Sequence, residues 1–455
     1  MSFPNYEASA AKDKIAELVR LKDSTLRGGT QYTDAAQASR LFAALLRAYR
    51  GSLNDKRWKS DPLLARTVVE ERRFGLALAA IFDLIVNIEY YRGRVTTSNW
   101  IYCRRNDCPE RPRLGFYSAL KQCPRCCLDR GLEPRMAKAQ HKPSSHHIGE
   151  ITTTVCSLLL KVLAGAHGRP LEIAAITKQS HDVDAVGYRD DLLVLFEMKA
   201  SPMVTFPLAC VFPKSLLKDE TTDEGKTGGR VEYEQHSLVD VPVDGTRDFF
   251  LYVPHRKLSI PMGNGSSTSW PYSEAIKYFR KPGHFLDFLS AWLDLYYAYA
   301  VPKKTRDKRE MALSYLVNGW GDEIDSNKTK PGLGRTDDIK KGTYQLLKFG
   351  AHYRDPAAPF SVRTALVANL DPLFMREEFL DKLETIRWGQ AADFNEEGAH
   401  YTIPAGRLHF LYEAIVALNR QTLNDPLLAE IFALDAADAA LANGRLDSLL
   451  AELEA

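Results

Sequence analysis

Asp184, Glu197 and Lys199 lie in a stretch whose pattern predicts a β-hairpin, and their side chains are of the types that bind a divalent metal ion and a phosphate. Two apolar runs flank a polar turn, which is typical of paired antiparallel strands. If the turn is centred on the Asp190–Asp191 peptide, Asp184 lies directly across from Glu197, and cross-strand partners share a face. Strand alternation places Lys199 on that face too. We therefore expect two carboxylates and one ammonium group to converge on one side of a strand pair.

Such a cluster has a definite chemistry. Two neighbouring carboxylates repel each other unless positive charge lies between them. A site with few protein ligands, all of them oxygen, suits Mg²⁺, which keeps waters and phosphate oxygens as its other ligands. Mg²⁺ in such a site can activate a water and offset negative charge on a phosphate. Lys199 would then orient or deprotonate the water, or hold the phosphate.

The Asp184-x₁₂-Glu197-x-Lys199 spacing on a hairpin resembles the PD-(D/E)xK phosphodiesterase superfamily, which contains many type II restriction endonucleases. The resemblance implies that Asp184 and Glu197 hold Mg²⁺ and that Lys199 assists the water. It covers about residues 147–201, and Val183 stands where many members have proline. In length and general character the chain is also similar to ApaLI-like restriction enzymes, although no motif carries that likeness. The alternative is a surface hairpin with a Glu–Lys pair.

Residues Ile148–Leu163 form an apolar run that predicts a buried helix before the hairpin, and Leu171–Thr177 predicts a first strand. The order helix, strand, strand, strand agrees with the resemblance, which also implies that Glu150 contributes to the metal site. Glu150 would otherwise compensate the dipole in the first turn of its helix. Three polar residues border the motif and are either part of the site or loop residues: His181, Asp182 and Ser201.

Five of the seven cysteines fall within residues 103–127. The pairs Cys103-x₄-Cys108 and Cys123-x₂-Cys126 have the spacing of a structural zinc site with four thiolate ligands. Four other residues remain alternative ligands: Cys127, His141, His146 and His147. An iron–sulfur cluster or a redox pair is the other interpretation. Residues 102–142 also hold ten Lys and Arg against four Asp and Glu, which favours contact with a phosphate backbone over a merely solvated face.

The predicted elements divide the chain into four regions. Residues 1–98 form a helical N-terminal region, with helices over 9–22, 34–50 and 61–92, the last being one helix or two because of Gly75. Residues 99–142 form the basic zinc module. Residues 143–375 form the nuclease core, with an insertion at about 203–335. Residues 376–455 form a helical C-terminal region.

Within the insertion the sequence predicts a strand over 248–253, one helix over 273–299 and basic loops, including residues 302–310. A helix over 336–352 and a strand over 361–370 would complete the core, and by analogy with some nucleases Lys341 and Gln345 would lie near the phosphate. The fold class expected is thus an α/β (α+β) restriction-endonuclease-like core, a mixed sheet flanked by helices, with a four-cysteine zinc module and helical N- and C-terminal regions.

Composition limits the alternatives. The chain has 455 residues, 45% of them apolar, and a net charge of +2, so overall charge does not itself argue for a nucleic-acid partner. The most apolar window, residues 74–88, is interrupted by Asp83 and Asn87 and is too short to span a membrane. No secretory signal pattern opens the sequence. We therefore expect a cytoplasmic protein with no membrane partner.

Together these features lead us to expect a type II restriction endonuclease that hydrolyses double-stranded DNA with Mg²⁺ and carries structural Zn²⁺. A homodimer is expected if the target is palindromic, because a two-fold DNA site requires two-fold protein symmetry. We find no methyltransferase or ATPase motif, so a separate methyltransferase would modify the target. The alternatives are a repair or structure-specific nuclease and a zinc-containing DNA-binding protein without activity.

Overall fold

The computed structural model describes fourteen stretches of the chain: residues 34–92, 100–103, 114–117, 123–130, 145–176, 183–189, 192–211, 236–239, 247–265, 268–314, 330–354, 361–390, 395–397 and 400–455. The predicted helix over 9–22 lies outside these residues, and so do His181, Asp182 and the side chain of Cys103.

The helices of the described part are, in chain order: α1 (Ala35–Ser52), α2 (Arg57–Ser60), α3 (Pro62–Val69), α4 (Arg73–Arg92), α5 (Pro124–Arg130), α6 (Ser145–Ala166), α7 (Tyr272–Phe279), α8 (His284–Ala300), α9 (Lys308–Ser314), α10 (Thr336–Tyr353), α11 (Arg376–Phe379), α12 (Pro426–Phe432), α13 (Leu434–Ala442) and α14 (Asp447–Glu454). The strands are β1 (Trp100–Cys103), β2 (Leu114–Tyr117), β3 (Glu172–Ala175), β4 (Ala185–Arg189), β5 (Leu192–Met198), β6 (Leu208–Val211), β7 (His236–Val239), β8 (Phe249–Val253), β9 (Leu258–Gly263), β10 (Ser361–Ala368), β11 (Arg387–Trp388), β12 (Asn395–Glu397), β13 (His400–Thr402), β14 (His409–Phe410), β15 (Ala414–Ala417) and β16 (Thr422–Leu423).

A six-stranded mixed sheet lies at the centre, in the order β16-β15-β10-β5-β4-β3. β3, β4 and β5 run antiparallel to one another, whereas β10 is parallel to both β5 and β15. All seven residues of β5 are buried, as expected for an inner strand covered on both faces. The carboxyl ends of β5, β10 and β15 therefore lie at one edge of the sheet, and β4 begins at that same edge.

Helices cover both faces of this sheet. On one face, α6 packs against β3, and α4 packs against α6 beneath α1 and α8. On the other face, α10 packs against β5 and β10. The hydrophobic core on the first face is continuous from Ala38 to Leu453, so the terminal helices pack on the core instead of forming detached regions. The expected mixed sheet flanked by helices is confirmed.

A second six-stranded sheet, entirely antiparallel, has the order β7-β1-β2-β6-β8-β9. Its strands come from the region expected to be the zinc module and from the expected insertion. The predicted strand over 248–253 is confirmed as β8. The shared sheet was not foreseen, because short strands carry too little periodicity to reveal partners far away in the sequence, such as β1 and β7.

The segment 61–92 forms two helices, α3 and α4, and the break falls at residues 70–72, where Glu71 adopts a φ of 54°. Gly75 lies inside α4 instead of ending a helix. A Cβ atom at this position would lie 1.9 Å from the carbonyl oxygen of Leu418, so glycine is required by close packing.

Asp83 and Asn87 interrupt the apolar pattern of α4 because they bind the backbone that follows β5. The Asp83 carboxylate accepts hydrogen bonds from the backbone N–H groups of Met203 and Val204, both at 3.0 Å, and from Trp292 Nε1 at 2.8 Å. Asn87 Oδ1 accepts from the N–H of Phe206 at 2.9 Å. Burial raises the pKa of Asp83 to about 7 despite these three donors. One buried carboxylate thus joins α4, the segment after β5 and α8.

Among the described residues, two helices, Arg73–Arg92 and Ile148–Ala166, are long and apolar enough to cross a membrane, although the window 74–88 within the first was expected to be too short. The first is buried in protein over its whole apolar window, and the second over about half of it (56%). Core helices of globular proteins meet the same criterion, so neither helix gives more than weak evidence for a membrane segment.

Two element predictions were wrong. Residues 273–299 form two helices, α7 and α8, because Gly283 at φ 89° turns the chain between them. The C-terminal region 376–455 is not wholly helical, since six strands precede α12. Two of these, β15 and β16, join the central sheet. The β15 sequence AIVA is buried on both faces and is too short to be told from a helical segment by periodicity.

Candidate active site

The hairpin of β4 and β5 has the predicted register. Ala185 pairs with Phe196 and Arg189 with Leu192, so the next position along places Asp184 opposite Glu197. The N–H of Asp184 donates to the carbonyl of Phe196 at 3.2 Å, which continues the ladder to that point. Glu197 shares its face with Leu193 and Leu195, the face covered by α10.

Backbone contacts hold these residues at the sheet edge. Asp184 Oδ2 accepts a hydrogen bond from the N–H of Met198 at 2.7 Å, and the N–H of Lys199 donates to the carbonyl of Val367 in β10 at 2.9 Å. The ammonium group of Lys199 forms an ion pair with Glu197 Oε1. The two carboxylates and the ammonium group therefore converge, as the sequence predicted.

The carboxyl groups of Asp184 and Glu197 lie within hydrogen-bonding reach of each other. Burial and the Asp184 carboxylate raise the pKa of Glu197 to about 7, although Lys199 opposes the shift. Burial also raises the pKa of Asp184 above its usual range, while Lys199 and the N–H of Met198 oppose that shift. Burial alone would lower the pKa of Lys199, but Glu197 and Asp184 outweigh it and raise that pKa. At neutral pH the site thus holds a protonated lysine and an electrostatically strained carboxylate pair.

α10 contributes a third carboxylate, which sequence reasoning missed. Asp338 lies close enough to Lys199 for their charges to interact, and it forms an ion pair with Arg335 at 3.5 Å. Burial raises the pKa of Asp338, and the nearby charges of Arg335, Lys199 and Lys341 oppose the shift. An acid in the first turn of a helix is ordinarily explained by the helix dipole, so its position in the sequence gave no separate signal.

Lys341 and Gln345, the two weaker candidates on α10, differ in their surroundings. Lys341 is exposed and lies near Asp338. Gln345 is half-buried, and its Oε1 is buried without a hydrogen-bond partner among the described residues. Both lie within two turns of Asp338 on α10, the helix that covers β5 and β10.

α6 supplies Glu150 and Cys156. Glu150 is half-buried in the second turn of the helix, and among the described residues the hydrogen bonds and ion pairs of Asp184, Glu197 and Lys199 do not include it. Cys156 is buried in the same helix, and burial, with the Asp184 charge, raises the pKa of its thiol strongly. Cys156 is therefore close enough to Asp184 for the two groups to interact electrostatically.

Ser201 fixes the loops beside the site. Its N–H donates to Asn369 Oδ1 at 3.2 Å, and Asn369 Nδ2 donates to its carbonyl at 2.6 Å. Its hydroxyl accepts from the N–H of Gly332 at 3.2 Å. These bonds tie the end of β5 to the end of β10 and to the loop before α10, so in the structure Ser201 acts as a positioning residue.

The oxygen atoms of Asp184 and Glu197 fit a hard divalent cation. A single ammonium group does not offset two buried carboxylates, so the pKa of Glu197 is raised, and oxygen ligands are those that Mg²⁺ prefers. Among the residues that the structure describes, no three His, Cys, Asp or Glu side chains lie close enough together to hold a metal ion. Waters and phosphate oxygens would therefore supply most of the coordination shell.

The structure describes only part of the cysteine cluster. Cys123 and Cys126 are buried at the start of α5, next to Phe116 and Tyr252 of the second sheet. Cys103 ends β1, and Cys108 lies outside the described residues. The four-thiolate zinc site therefore stays a prediction.

Comparisons of this chain with protein-family models, with curated proteins and with solved structures found no match.

Proposed function

We propose that this protein is a Mg²⁺-dependent endonuclease that hydrolyses phosphodiester bonds in double-stranded DNA at a specific sequence, as type II restriction enzymes do. The observation that carries this proposal is the register of β4 and β5. It places two strained carboxyls and a protonated lysine together at the carboxyl edge of a mixed sheet.

The order of elements supports the same proposal. α6, β3, β4 and β5 follow one another in the chain, and α10 and β10 come after the intervening residues 203–335, with β10 parallel to β5. This is the helix and three-strand order that the resemblance to the PD-(D/E)xK superfamily implies, completed by the helix and strand expected at 336–370. Crevices beyond the carboxyl ends of parallel strands are common ligand sites in such sheets.

Each side chain has a defined role in the proposed reaction. Asp184 and Glu197 would hold Mg²⁺, which when bound supplies a Lewis acid that activates water and offsets charge on the phosphate. Lys199, whose pKa is raised, stays protonated at neutral pH, so it would orient the water or hold a phosphate oxygen instead of acting as the base. Glu150, on α6, would contribute to the metal site. One bond forms between the water oxygen and phosphorus and one ester P–O bond breaks, leaving a phosphomonoester and an alcohol.

The proposal also includes the zinc site, the oligomeric state, the location and the partner enzyme that the sequence led us to expect. Zn²⁺ held by Cys103, Cys108, Cys123 and Cys126 would stabilise the basic module. The active form would be a cytoplasmic homodimer, with a separate methyltransferase that protects the host DNA.

Digestion of plasmid and phage DNA tests the proposal. Wild-type protein should give discrete fragments with Mg²⁺ and none with EDTA, and Asp184→Ala should lose more than about a hundred-fold in rate because the metal ligand is gone. Asp337→Asn on the exposed face of α10 is the matched control and should cut normally.

The other outcomes separate the alternatives. A smear of fragments that the Asp184→Ala variant loses would indicate a repair or structure-specific nuclease. DNA that is bound but stays uncut under all conditions would contradict the nuclease and favour a DNA-binding protein without activity.

A further inference from the structure

A strongly basic surface lies outside the candidate active site. Two segments distant in sequence form it: the turn between β8 and β9, and the stretch that runs from the turn after α8 into α9. We define this α9 basic surface by six exposed residues: Arg256, Lys257, Lys303, Lys304, Lys308 and Arg309. This surface contains three acidic residues, Asp294, Asp307 and Glu310. Its six basic residues therefore leave a net charge of +3, whereas the net charge of the whole chain is +2.

A buried carboxylate organises the two arginines. The Asp294 side chain in α8 is only 4% exposed, and it pairs with Arg256 Nη2 at 3.0 Å and with Arg309 on the other oxygen. Each guanidinium group contacts Asp294 through one nitrogen atom. The Arg256 side chain stays 42% exposed and the Arg309 side chain 64% exposed. A rigid guanidinium fork with donors left over is well suited to bind phosphate.

The other two acids are engaged with the backbone. Asp307 Oδ1 accepts from the N–H of Glu310 at 2.7 Å, and Glu310 Oε2 accepts from the N–H of Asp307 at 2.9 Å, which forms a capping box at the start of α9. Among the described residues, Lys303, Lys304 and Lys308 form no ion pair. The surface therefore presents positive charge that the acids of the described residues do not neutralise.

Two contacts fix this surface relative to the carboxyl edge of the central sheet. Trp292, two residues before Asp294, donates to the Asp83 carboxylate that also holds the backbone of Met203, just after β5. At the end of α8, the Tyr299 ring lies between Phe374, which follows β10 and is 52% exposed, and the guanidinium of Arg306. Through Tyr299, Arg306 and the lysines next to it in sequence thus lie close to the segment that follows the carboxyl end of β10.

We propose that the α9 basic surface binds the phosphate backbone of duplex DNA beside the cleavage position. This proposal rests on the proposed function, because the phosphodiester chemistry of the candidate active site is what favours a nucleic acid over other polyanions. Contacts of this kind set the position of the duplex without reading its sequence. They also make affinity depend steeply on salt, because each neutralised phosphate releases counterions.

Binding without cleavage tests the inference. Fluorescence anisotropy with a labelled random-sequence DNA duplex in EDTA, over a range of KCl concentrations, would compare wild-type protein with the triple variant Lys303→Gln/Lys304→Gln/Lys308→Gln. We expect the variant to bind roughly 10- to 100-fold more weakly and its slope of log affinity against log salt to fall by about 2–3. The matched control Lys56→Gln/Lys59→Gln/Lys382→Gln removes the same charge at exposed positions elsewhere and should bind within about two-fold of wild type.

Each outcome has a definite meaning. If the surface variant binds the DNA duplex as tightly as wild type does, the inference is wrong, even when DNA is cut at discrete positions. If the variant loses binding to duplex RNA or to anionic phospholipid vesicles but not to duplex DNA, the surface serves another partner and the inference is again wrong. If the variant loses DNA binding while wild type never cuts DNA with Mg²⁺, the inference stands and the proposed catalytic function fails. Thermal unfolding of all three proteins confirms that the substitutions leave the fold intact.

Discussion

Charge at single residues governs the candidate site. Glu197 has a pKa of about 7 because it is buried beside Asp184, whereas an exposed glutamate titrates near 4.5. Between these values the folded protein binds more protons than the unfolded chain, so the stability contributed by this group falls as pH rises from about 4.5 to 7. The cost of ionising the pair is what a bound cation would relieve.

The Glu197→Gln substitution should therefore stabilise the protein in the absence of metal. At pH 8, where the folded wild type must ionise Glu197, we expect a gain of about 1–3 kcal/mol in the free energy of unfolding, and at pH 4 almost none. Urea unfolding at both pH values in EDTA measures the difference. An equal effect at the two pH values would show that packing, not charge, is responsible.

At the scale of elements, close backbone approach sets the position of α4. Gly75 touches the carbonyl of Leu418 at the end of β15, and Asp83 and Asn87 bind the segment after β5. α4 thus helps to fix the positions of β5 and β15 in the central sheet, although its sequence shows only that the helix is largely apolar.

Replacing Gly75 by alanine tests that packing. Alanine inside a helix usually gains about 0.5–1 kcal/mol over glycine, but here the added Cβ meets a backbone oxygen, and we expect a loss of at least about 2 kcal/mol. Gly51 in α1 has no atom within 4 Å of the same Cβ position, so Gly51→Ala is the control and should be neutral or stabilising. Thermal unfolding of both variants gives the comparison, and similar melting temperatures for the two would contradict it.

Much of the site could be predicted from sequence because it is local. The turn and the alternation of β4 and β5 fix the register that brings Asp184 to Glu197, and both lie within nineteen residues. Asp338 could not be found in this way, because its proximity to Lys199 depends on how α10 packs across the sheet. For the same reason β15 was not predicted, because it pairs with β10, a strand far away in the sequence.

At the scale of the whole molecule, two sheets share one continuous core. Helices from both ends of the chain, together with strands from the region expected to be an insertion, enter the same hydrophobic cluster. The cysteine-rich segment contributes β1 and β2 to the second sheet, and Cys123 and Cys126 pack against that sheet at their buried positions.

Metal analysis tests the zinc prediction at this scale. Purified protein should contain about one zinc per chain by mass spectrometry of the metals, because four thiolates complete a tetrahedral site. Cys123→Ser should lose most of the zinc and unfold at a lower temperature. Cys210→Ser, a buried cysteine of β6 outside the motif, is the control and should keep the metal. Zinc-free wild-type protein with unchanged stability would contradict the prediction.

The carboxylate of Asp83 has a consequence for engineering. Because one side chain bonds to the segment after β5 and to α8, the hairpin of β4 and β5 cannot be excised as an autonomous module. Minimised versions or chimaeras cut between these parts would leave buried hydrogen-bond donors without an acceptor. Recombination of this scaffold with other proteins has to transfer α4, the segment after β5 and α8 together.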